Sequence, residues 1–593
     1  MSPRPRPASR VMADQAASDA LLNCLIKEFA LPLSLLDENG RQPPLGLPFQ
    51  LYRRLQSPNI VPLLIRMPDD ARFVVLADRK DTLGSQSYIS GVFGKRPGQR
   101  WRALTPALLA ESMLDSCTAL THKNNPELLT QIIASRDLKR AVTAHFAGQA
   151  IAPLADYLSS EQCLWYGHPA QVAPKARLWP ASLRQEEVSP EFGAALRLHL
   201  FEVPAEGLWI AANGLPREEA LAAFADQGDA RPGHAIISMH PIQAELFRAD
   251  PRARQLLETR HIRDLGRTGF LSHPTASVRT MYMRGHDYFI KGSLNVRITN
   301  CVRKNAWYEL ESALLIDSLL KRLTTGNAAT TGGLHTVSEP AALSWSPDGH
   351  SDDDKIWFRE QTGAILRSNF CLTEGEQNCL LAGTVFGRDL SLRSNVLSFL
   401  EQKLGRAPAA EDLLRWFASY ASLLLRPVLS MFFNHGVIFE PHLQNTVLVH
   451  RDGHPVKLLL RDYEGVKLTA EHGMQAVPDT TPPRVRQSME YPRAQGWNRI
   501  AYCLFVNNLS EAVLALTHGR PALAPAMWQL VRQELQDIRA TLQTTAPELT
   551  PELDQLLNGA SIPCKTNFRI RLAAAADRFA GYVQLQAPWQ VQQ

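Results

Sequence analysis

The residues best suited to chemistry stand in one short stretch, between His435 and Lys467. Residues 440–445 read E-P-H-L-Q-N, which puts a carboxylate, an imidazole and two amides on one loop. An apolar run follows, Asp452-Gly453 gives a tight-turn signal, and a second run ends in Asp462. Such a hairpin brings Asn445 close to Asp462. Because amide and carboxylate oxygens hold Mg2+ beside nucleotide phosphates, the stretch predicts half of an ATP site.

The plain alternative is an ordinary hairpin with a polar turn. The density of functional groups argues against this alternative. The second strand of the hairpin ends in D-Y-E-G, which adds the carboxylate of Glu464 to that of Asp462. The preferred interpretation is therefore a magnesium and nucleotide site in which Asn445 and Asp462 supply metal ligands.

A second chemical stretch lies between Ser272 and Arg303. A strand is predicted over Ser277–Met283, with a turn after it and a return strand that ends in Lys291. Hydroxyl groups donate hydrogen bonds to phosphates and cations supply charge. Arg303 precedes a predicted helix over Trp307–Leu320, and helix N-termini favour anions. The cations Arg279, Lys291 and Arg303 are together the candidates for contact with phosphate on this layout.

The order Lys291, Asn445, Asp462 is also the order in kinase-like folds: a strand lysine, a loop asparagine and a later aspartate. Glu440 stands five residues before Asn445, where small-molecule kinases carry an aspartate, so a kinase-like phosphotransferase is the competing hypothesis. The positive charge exceeds what a neutral acceptor needs, and a polyanionic second substrate would explain it. The converging cationic candidates are His168, Arg279, Lys291, Arg303 and His442.

Composition bounds the class of protein. The chain has 593 residues, 45% of them apolar, and a formal charge of only +5, which argues against bulk nucleic-acid binding. The eight cysteines are scattered, which suits a reducing cytoplasm. No secretory signal and no uncharged apolar run long enough to span a bilayer is found, so we expect no membrane partner and a cytoplasmic protein.

The pattern of helical and alternating segments predicts an α+β protein. Residues 1–12, rich in Pro and Arg, are expected to be a disordered lead. Residues 13–150 form a predicted N-terminal α+β unit, residues 151–350 a second unit with the phosphate-binding hairpin, and residues 351–593 a helix-rich unit with the metal hairpin. The boundary is placed in a Gly- and Ser-rich segment over 326–354, and residues 355–360 are expected to resume as a strand.

From about residue 167 to residue 467, the sequence resembles the IucA/IucC-type siderophore synthetases, which act independently of nonribosomal peptide synthetases. Its signatures are short motifs distributed over both chemical stretches. They are Gly167-His168-Pro169 with Lys175 and Arg177, His240-Pro241-x-Gln243, Ser277-x-Arg279-Thr280, Lys291, Thr299-x-x-x-Arg303, Gly436 through His442-x-Gln444-Asn445, and Arg461-Asp462-x-Glu464-Gly465.

The resemblance implies a three-part cupped hand of thumb, fingers and palm, with a distantly kinase-like palm. It also implies that ATP and Mg2+ are used to adenylate a carboxylate, usually of citrate, which an amine or alcohol then attacks. By position, the triphosphate would be held by Ser277, Arg279, Thr280, Lys291 and His168, and metal and nucleotide by Gln444, Asn445, Asp462 and Glu464. Arg303 and His442, the latter if cationic, would bind citrate and act with Lys291 in catalysis.

One departure from the family pattern is visible. Members often have a second His-Pro soon after the first, whereas Gln171-Val172 stands there in this chain. The resemblance also carries the expectation of a homodimer. The sequence does not name the nucleophile, and neither free citrate nor a citryl intermediate is excluded as the acid. A catalytically silent binding protein is the third hypothesis, and it differs from both enzymes in releasing neither AMP nor ADP.

Overall fold

A computed structural model describes the chain except residues 1–6, 38–45, 56, 58–59, 80, 178, 181, 299–300, 326–327, 547–549, 577–578 and 591–593. Helices and antiparallel strands are mixed throughout, so the predicted α+β class is confirmed. The longer α-helices are Pro7–Leu25, Phe49–Arg54, Pro106–Thr121, Pro126–His145, Tyr157–Gln162, Arg217–Phe224, Pro241–Ala249, Pro251–Glu258, Trp307–Thr324, Asp352–Thr362, Asn395–Leu404, Ala410–His435, Pro483–Met489, Arg493–Ala501, Ser510–Leu516, Ala524–Thr545, Pro551–Leu557 and Asn567–Leu572.

The N-terminal part packs three long helices against a five-stranded antiparallel sheet. The first helix begins at Pro7, so the predicted disordered lead is wrong for residues 7–12, while residues 1–6 lie outside the described part. Proline suits a first helical turn, and the buried Ala13 and Leu21 anchor the same helix to the core. The strands of the sheet are Leu36–Asp37, Val61–Arg66, Arg72–Ala77, Phe93–Lys95 and Arg102–Ala103.

The central part is organised by a seven-stranded sheet. Lys291 lies in it opposite Thr280 on one side and Ile365 on the other. In spatial order the strands are Leu196–Arg197, Leu271–Pro274, Thr280–Tyr282, Tyr288–Gly292, Ala364–Ser368, Ala341–Trp345 and Leu208–Ala212. A three-stranded sheet of His199–Pro204, His234–Met239 and Arg263–Gly266 and a hairpin of Leu294–Ile298 and Cys301–Arg303 complete it.

Two expectations for this region are wrong. The sheet continues beyond the predicted boundary at residue 350, because Ala364–Ser368 is one of its inner strands. Residues 355–360, expected as a strand, belong to the helix Asp352–Thr362. Ser351 caps that helix by accepting a hydrogen bond from the Asp354 N–H at 3.2 Å, and the acidic first turn favours a helix N-terminus.

The C-terminal part is mainly helical and contains the largest hydrophobic core. Two of its helical segments, Ala410–His435 and Arg493–Leu516, are long and apolar enough to cross a membrane, but 72% and 94% of their most apolar windows are buried inside the protein. They are therefore core helices here. A three-stranded sheet lies against them, with the strands Cys379–Leu381, Thr446–Arg451 and His454–Leu460, and a second contains Val437–Ile438, Lys467–Thr469 and Glu490–Tyr491. The strands Ile562–Lys565 and Tyr582–Leu585 form a terminal hairpin.

Candidate active site

The predicted hairpin after the 440–445 loop is confirmed. Thr446 lies opposite Leu460, and the turn residues Asp452 and Gly453 have φ of 49° and 89°, as a tight hairpin turn requires. The N–H of Arg461 donates to the carbonyl of Asn445 at 3.1 Å. The hairpin therefore brings Asn445 alongside the residue that precedes Asp462, as the sequence predicted.

Lys291 joins the two chemical stretches directly. Its ammonium contacts the carboxylate of Asp462 and lies 3.0 Å from that of Glu464. Burial would lower the pKa of Lys291, but these two carboxylates more than offset it and the net pKa is raised. Burial likewise would raise the pKa of Asp462, yet Lys291, Arg367 and Arg279 hold it far below its usual value. Both groups are therefore charged at neutral pH.

Arg279 extends this cluster toward Arg303. Its guanidinium donates to the carboxylate of Glu464 at 2.7 Å and to the backbone carbonyl of Arg303 at 3.2 Å. The Asn305 amide oxygen accepts a third hydrogen bond from Arg279, and its amide nitrogen donates to the Lys291 carbonyl at 3.2 Å. Arg279, Lys291 and the backbone of Arg303 are thus held together, with Asn305 as a buried link that the sequence analysis did not identify.

The strand predicted over Ser277–Met283 is wrong in its first part. Residues 275–279 form a turn, and the strand covers only Thr280–Tyr282. Val278 has φ of 68°, which a strand cannot contain. The Ser277 hydroxyl accepts a hydrogen bond from the Thr280 N–H at 3.2 Å and so stabilises the turn. The predicted phosphate ligands Ser277, Arg279 and Thr280 accordingly lie around a turn and not along one strand face.

His442 differs from the expectation that it is cationic. Burial lowers its pKa, and the positive charge of Arg303 lowers it further, although Glu440 and Asp462 oppose this. Its Nδ1 accepts the backbone N–H groups of Gln444 and Asn445, both at 3.2 Å. The imidazole is therefore neutral at pH 7 with its proton on Nε2, so it can donate one hydrogen bond but carries no charge.

The remaining predicted site residues, Gln444 and His168, are held by neighbouring side chains. The carbonyl of Gln444 accepts hydrogen bonds from Arg461 at 2.8 and 3.1 Å, which fixes the loop backbone. His168 lies against Asn507, with its Nε2 2.6 Å from the amide nitrogen, and burial lowers its pKa to about 4. Asn507 also accepts the Leu443 N–H at 3.1 Å, so His168 reaches the 440–445 loop through one intervening side chain.

Lys175 and Arg177, which the motif grouped with His168, are already neutralised. Both bind the buried carboxylate of Glu191, Arg177 with its two terminal nitrogens. The pKa of Glu191 is lowered to about 2, because these two cations outweigh its burial. The charges of Lys175 and Arg177 are therefore largely balanced within this triad. Thr299 of the motif lies outside the described residues.

The structure adds two cations beside the loop that the sequence analysis missed, Arg499 and Lys467. Glu440 pairs with Arg499 at 2.6 Å and faces Gly465, where an added Cβ would come within 2.6 Å of Glu440 Oε2. Lys467 donates to the Glu464 carbonyl at 2.8 Å, and burial together with the charge of Arg499 lowers its pKa. Nη1 of Arg499 is buried without a hydrogen-bond partner in the described part of the chain. The positions of Arg499 and Lys467 suit a bound anion.

The donor set can be tested for magnesium. Asp462 and Glu464 converge on Lys291, and Asn445 adds an amide oxygen for which no side-chain hydrogen bond is found in the described residues. Carboxylate and amide oxygens fit Mg2+. No group of three or more His, Cys, Asp or Glu side chains with metal-site geometry exists among the described residues, so a metal here would also need phosphate or water oxygens. This is the usual situation for a nucleotide-bound magnesium.

Comparisons with known proteins identify the family. The model of the IucA / IucC family matches residues 156–386, which include the 275–279 turn, Lys291 and Arg303. Residues 156–386 of the chain belong to the IucA/IucC family. A second model, described as a ferric iron reductase FhuF-like transporter, matches residues 414–580, where the 440–445 loop and Asp462 lie.

The chain is similar to two curated proteins that are named as citrate ligases. It is 27% identical to an L-2,3-diaminopropanoate–citrate ligase of Staphylococcus aureus over 64% of this chain and 65%, just under two thirds, of that ligase. It is 25% identical to a spermidine-citrate ligase of Bacillus anthracis over 73% of this chain and 73% of the ligase. The fold matches ATP-bound aerobactin synthetase IucA of Klebsiella pneumoniae with a TM-score of 0.80 at 20% identity, over 97% of this chain and all of that one.

Proposed function

We propose that this IucA/IucC-family chain is an ATP-dependent ligase that adenylates a carboxylate of citrate and condenses it with an amine or alcohol. The observation that carries the proposal is the ion pair of Lys291 with Asp462 and Glu464, which joins two stretches more than a hundred residues apart in one cationic and acidic cluster. The curated ligases to which the chain is similar use citrate and an amine by name.

The nucleotide would lie between the 275–279 turn and the hairpin. Ser277, Arg279, Thr280 and Lys291 would hold the triphosphate, with His168 and Gln444 at its flanks. Asn445, Asp462 and Glu464 would hold magnesium, which when bound neutralises phosphate charge. Lys291 and Arg279 already touch these carboxylates, so the metal and the phosphates would replace an existing ion-pair network without leaving a buried charge uncompensated.

Citrate would lie beside the α-phosphorus, near Arg303 and the neutral His442. Arg499 supports this assignment, because its Nη1 is buried without a hydrogen-bond partner in the described part of the chain. Lys467 is a second buried cation, close enough to Arg499 for that charge to lower its pKa. A citrate carboxylate oxygen attacks the α-phosphorus and pyrophosphate leaves. The amine nitrogen then attacks the acyl carbon, the acyl carbon–oxygen bond breaks, AMP leaves with that oxygen, and the nitrogen loses a proton. Cationic groups stabilise the charge of both transition states.

A small-molecule kinase is the second candidate, and the order Lys291, Asn445, Asp462 favours it. In that case Glu440 would take the proton of the acceptor hydroxyl. Glu440 is instead held by Arg499 at 2.6 Å, and the charge of Arg499 lowers its pKa despite burial. A carboxylate committed to an arginine is a poor base, so the ligase assignment is preferred.

The finer expectations belong to the same proposal. They are the thumb, fingers and palm arrangement with a kinase-like palm, a cytoplasmic location and a homodimer. Gln171-Val172 replaces the second His-Pro of the family, so any role in acid or nucleophile choice that rests on that pair does not carry over to this chain.

Trapping the activated acid tests the ligase assignment. With hydroxylamine as the nucleophile and a panel of carboxylic acids, we expect citrate to give hydroxamate together with AMP and pyrophosphate. ADP formation in the same assay would support the kinase, and release of neither nucleotide product would support a silent binding protein. A citryl amide should be included in the panel, because a stronger signal from it than from citrate would place the enzyme later in assembly.

A further inference from the structure

A buried carboxylate lies between the 275–279 turn and the 440–445 loop. It belongs to Glu161, on the helix Tyr157–Gln162, and its side chain is 0% exposed. One carboxylate oxygen accepts the backbone N–H of Ala276 at 3.0 Å, and the other accepts from Arg461 at 2.5 Å. The same side chain therefore contacts the turn that precedes Arg279 and the residue that precedes Asp462.

Arg461 continues the connection to the loop. Its Nε and Nη2 donate to the Gln444 carbonyl at 3.1 and 2.8 Å, and its Nη1 also donates to the Tyr157 hydroxyl at 2.8 Å. Its backbone N–H donates to the Asn445 carbonyl. Every nitrogen of this buried guanidinium has an acceptor, so its orientation is fixed. Burial would lower the pKa of Arg461, but the neighbouring Glu161 and Tyr157 more than offset it, and the net pKa is raised.

We propose that Glu161 and Arg461 are positioning residues that set the distance between the 275–279 turn and the 440–445 loop, and hence the width of the nucleotide site. The inference rests on the proposed function in one respect, that ATP lies between these two segments. Neither side chain is assigned to substrate. A buried ion pair contributes little net stability over an apolar pair, so stability alone does not account for this one. A displacement of about 1 Å at a reacting centre, by contrast, can cost about 100-fold in rate.

The test compares two matched substitutions. Glu161→Gln removes the charge that fixes Arg461, and we expect the Kd for magnesium-ATP, measured by calorimetry, to rise about tenfold or more, with the KM for ATP rising in parallel and the KM for citrate changing less. Glu202→Gln is the control. The Glu202 side chain is also 0% exposed, accepts the Arg231 N–H at 2.8 Å and pairs with the Arg231 side chain, but it lies on the three-stranded sheet away from both segments. It should lower the melting temperature without changing the Kd.

A double variant covers the case in which Glu161→Gln leaves the charge of Arg461 without its partner and the protein misfolds. Glu161→Leu combined with Arg461→Met leaves no buried charge at these two positions, so the protein should fold. The double variant should nevertheless weaken ATP binding, because the Ala276 N–H and the Gln444 carbonyl lose their hydrogen-bond partners. Folded variants that bind ATP as the wild type does would overturn the inference, and so would a wild-type chain that binds no ATP. If ATP binds normally but no acid is activated, the ligase function fails while the ATP titrations still decide the role of Glu161.

Discussion

Arg303→Ala should remove citrate-dependent hydroxamate formation, with kcat/KM for citrate falling roughly 100- to 1000-fold. Arg303 ends the strand Cys301–Arg303, and its charge is close enough to His442 to lower the pKa of that imidazole. Its carbonyl is fixed by Arg279, so alanine should leave the backbone in place. His442→Ala should also reduce the rate, through loss of the Nε2 donor and of the loop hydrogen bonds to Nδ1.

Arg297→Ala is the matched control for Arg303→Ala. Arg297 lies on the other strand of the same hairpin, with a side chain 53% exposed and a distant pairing with Glu127 at 3.8 Å. Its loss should leave the rate unchanged, since exposed pairs of this kind contribute little. Wild-type rates for both Arg303→Ala and His442→Ala would show that the acid binds elsewhere.

Asp462→Asn should lower kcat/KM for ATP by roughly 1000-fold, which corresponds to about 4 kcal/mol of transition-state stabilisation. The substitution removes the charge of the proposed metal ligand and the carboxylate that Lys291 contacts. Asp462 has φ of 83°, a conformation that asparagine also tolerates, so the backbone should not change. The main loss is therefore expected in turnover and in magnesium dependence. The melting temperature should fall only modestly, because the buried Lys291 keeps Glu464 as a partner at 3.0 Å.

Asp452→Asn at the opposite end of the same hairpin controls for that substitution. Asp452 is an exposed turn residue with φ of 49°, and asparagine is at least as favourable in such a turn. Full activity in Asp452→Asn beside the loss in Asp462→Asn would assign the effect to the site. Equal and small effects of the two substitutions would contradict a metal role for Asp462.

The turn and apolar signals in the local sequence were sufficient to predict the hairpin and the pairing of its two ends. The turn residues Asp452 and Gly453 and the flanking apolar runs determine the register that places Asn445 near Asp462. The strand that ends in Lys291 was also predictable, and its contact with Asp462 is what the kinase-like order of residues suggested. Helix Asp352–Thr362 was not predicted, because its capping serine and the three aspartates of its first turn are also typical of a loop.

Partners across long sequence separations were not predictable. The sequence around Lys175 and Arg177 does not indicate that Glu191 neutralises them. The sequence around Arg461 likewise does not indicate its hydrogen bond to Glu161, which lies 300 residues away along the chain. The protonation of His442 depends on burial and on two backbone N–H groups, neither of which a motif records. Such contacts arise from packing between distant elements, whereas periodicity reports only which face of an element is buried.

The most direct test of the central claim follows the oxygen atoms of citrate. The enzyme is given ATP, hydroxylamine and citrate labelled with 18O in its carboxylates, and the nucleotide products are analysed by mass spectrometry. Attack on the α-phosphorus transfers one labelled oxygen to the nucleotide, so the account predicts AMP that carries a single 18O and unlabelled pyrophosphate. ADP with labelled inorganic phosphate would show transfer of the γ-phosphoryl group, and either that result or unlabelled AMP would contradict citrate adenylation.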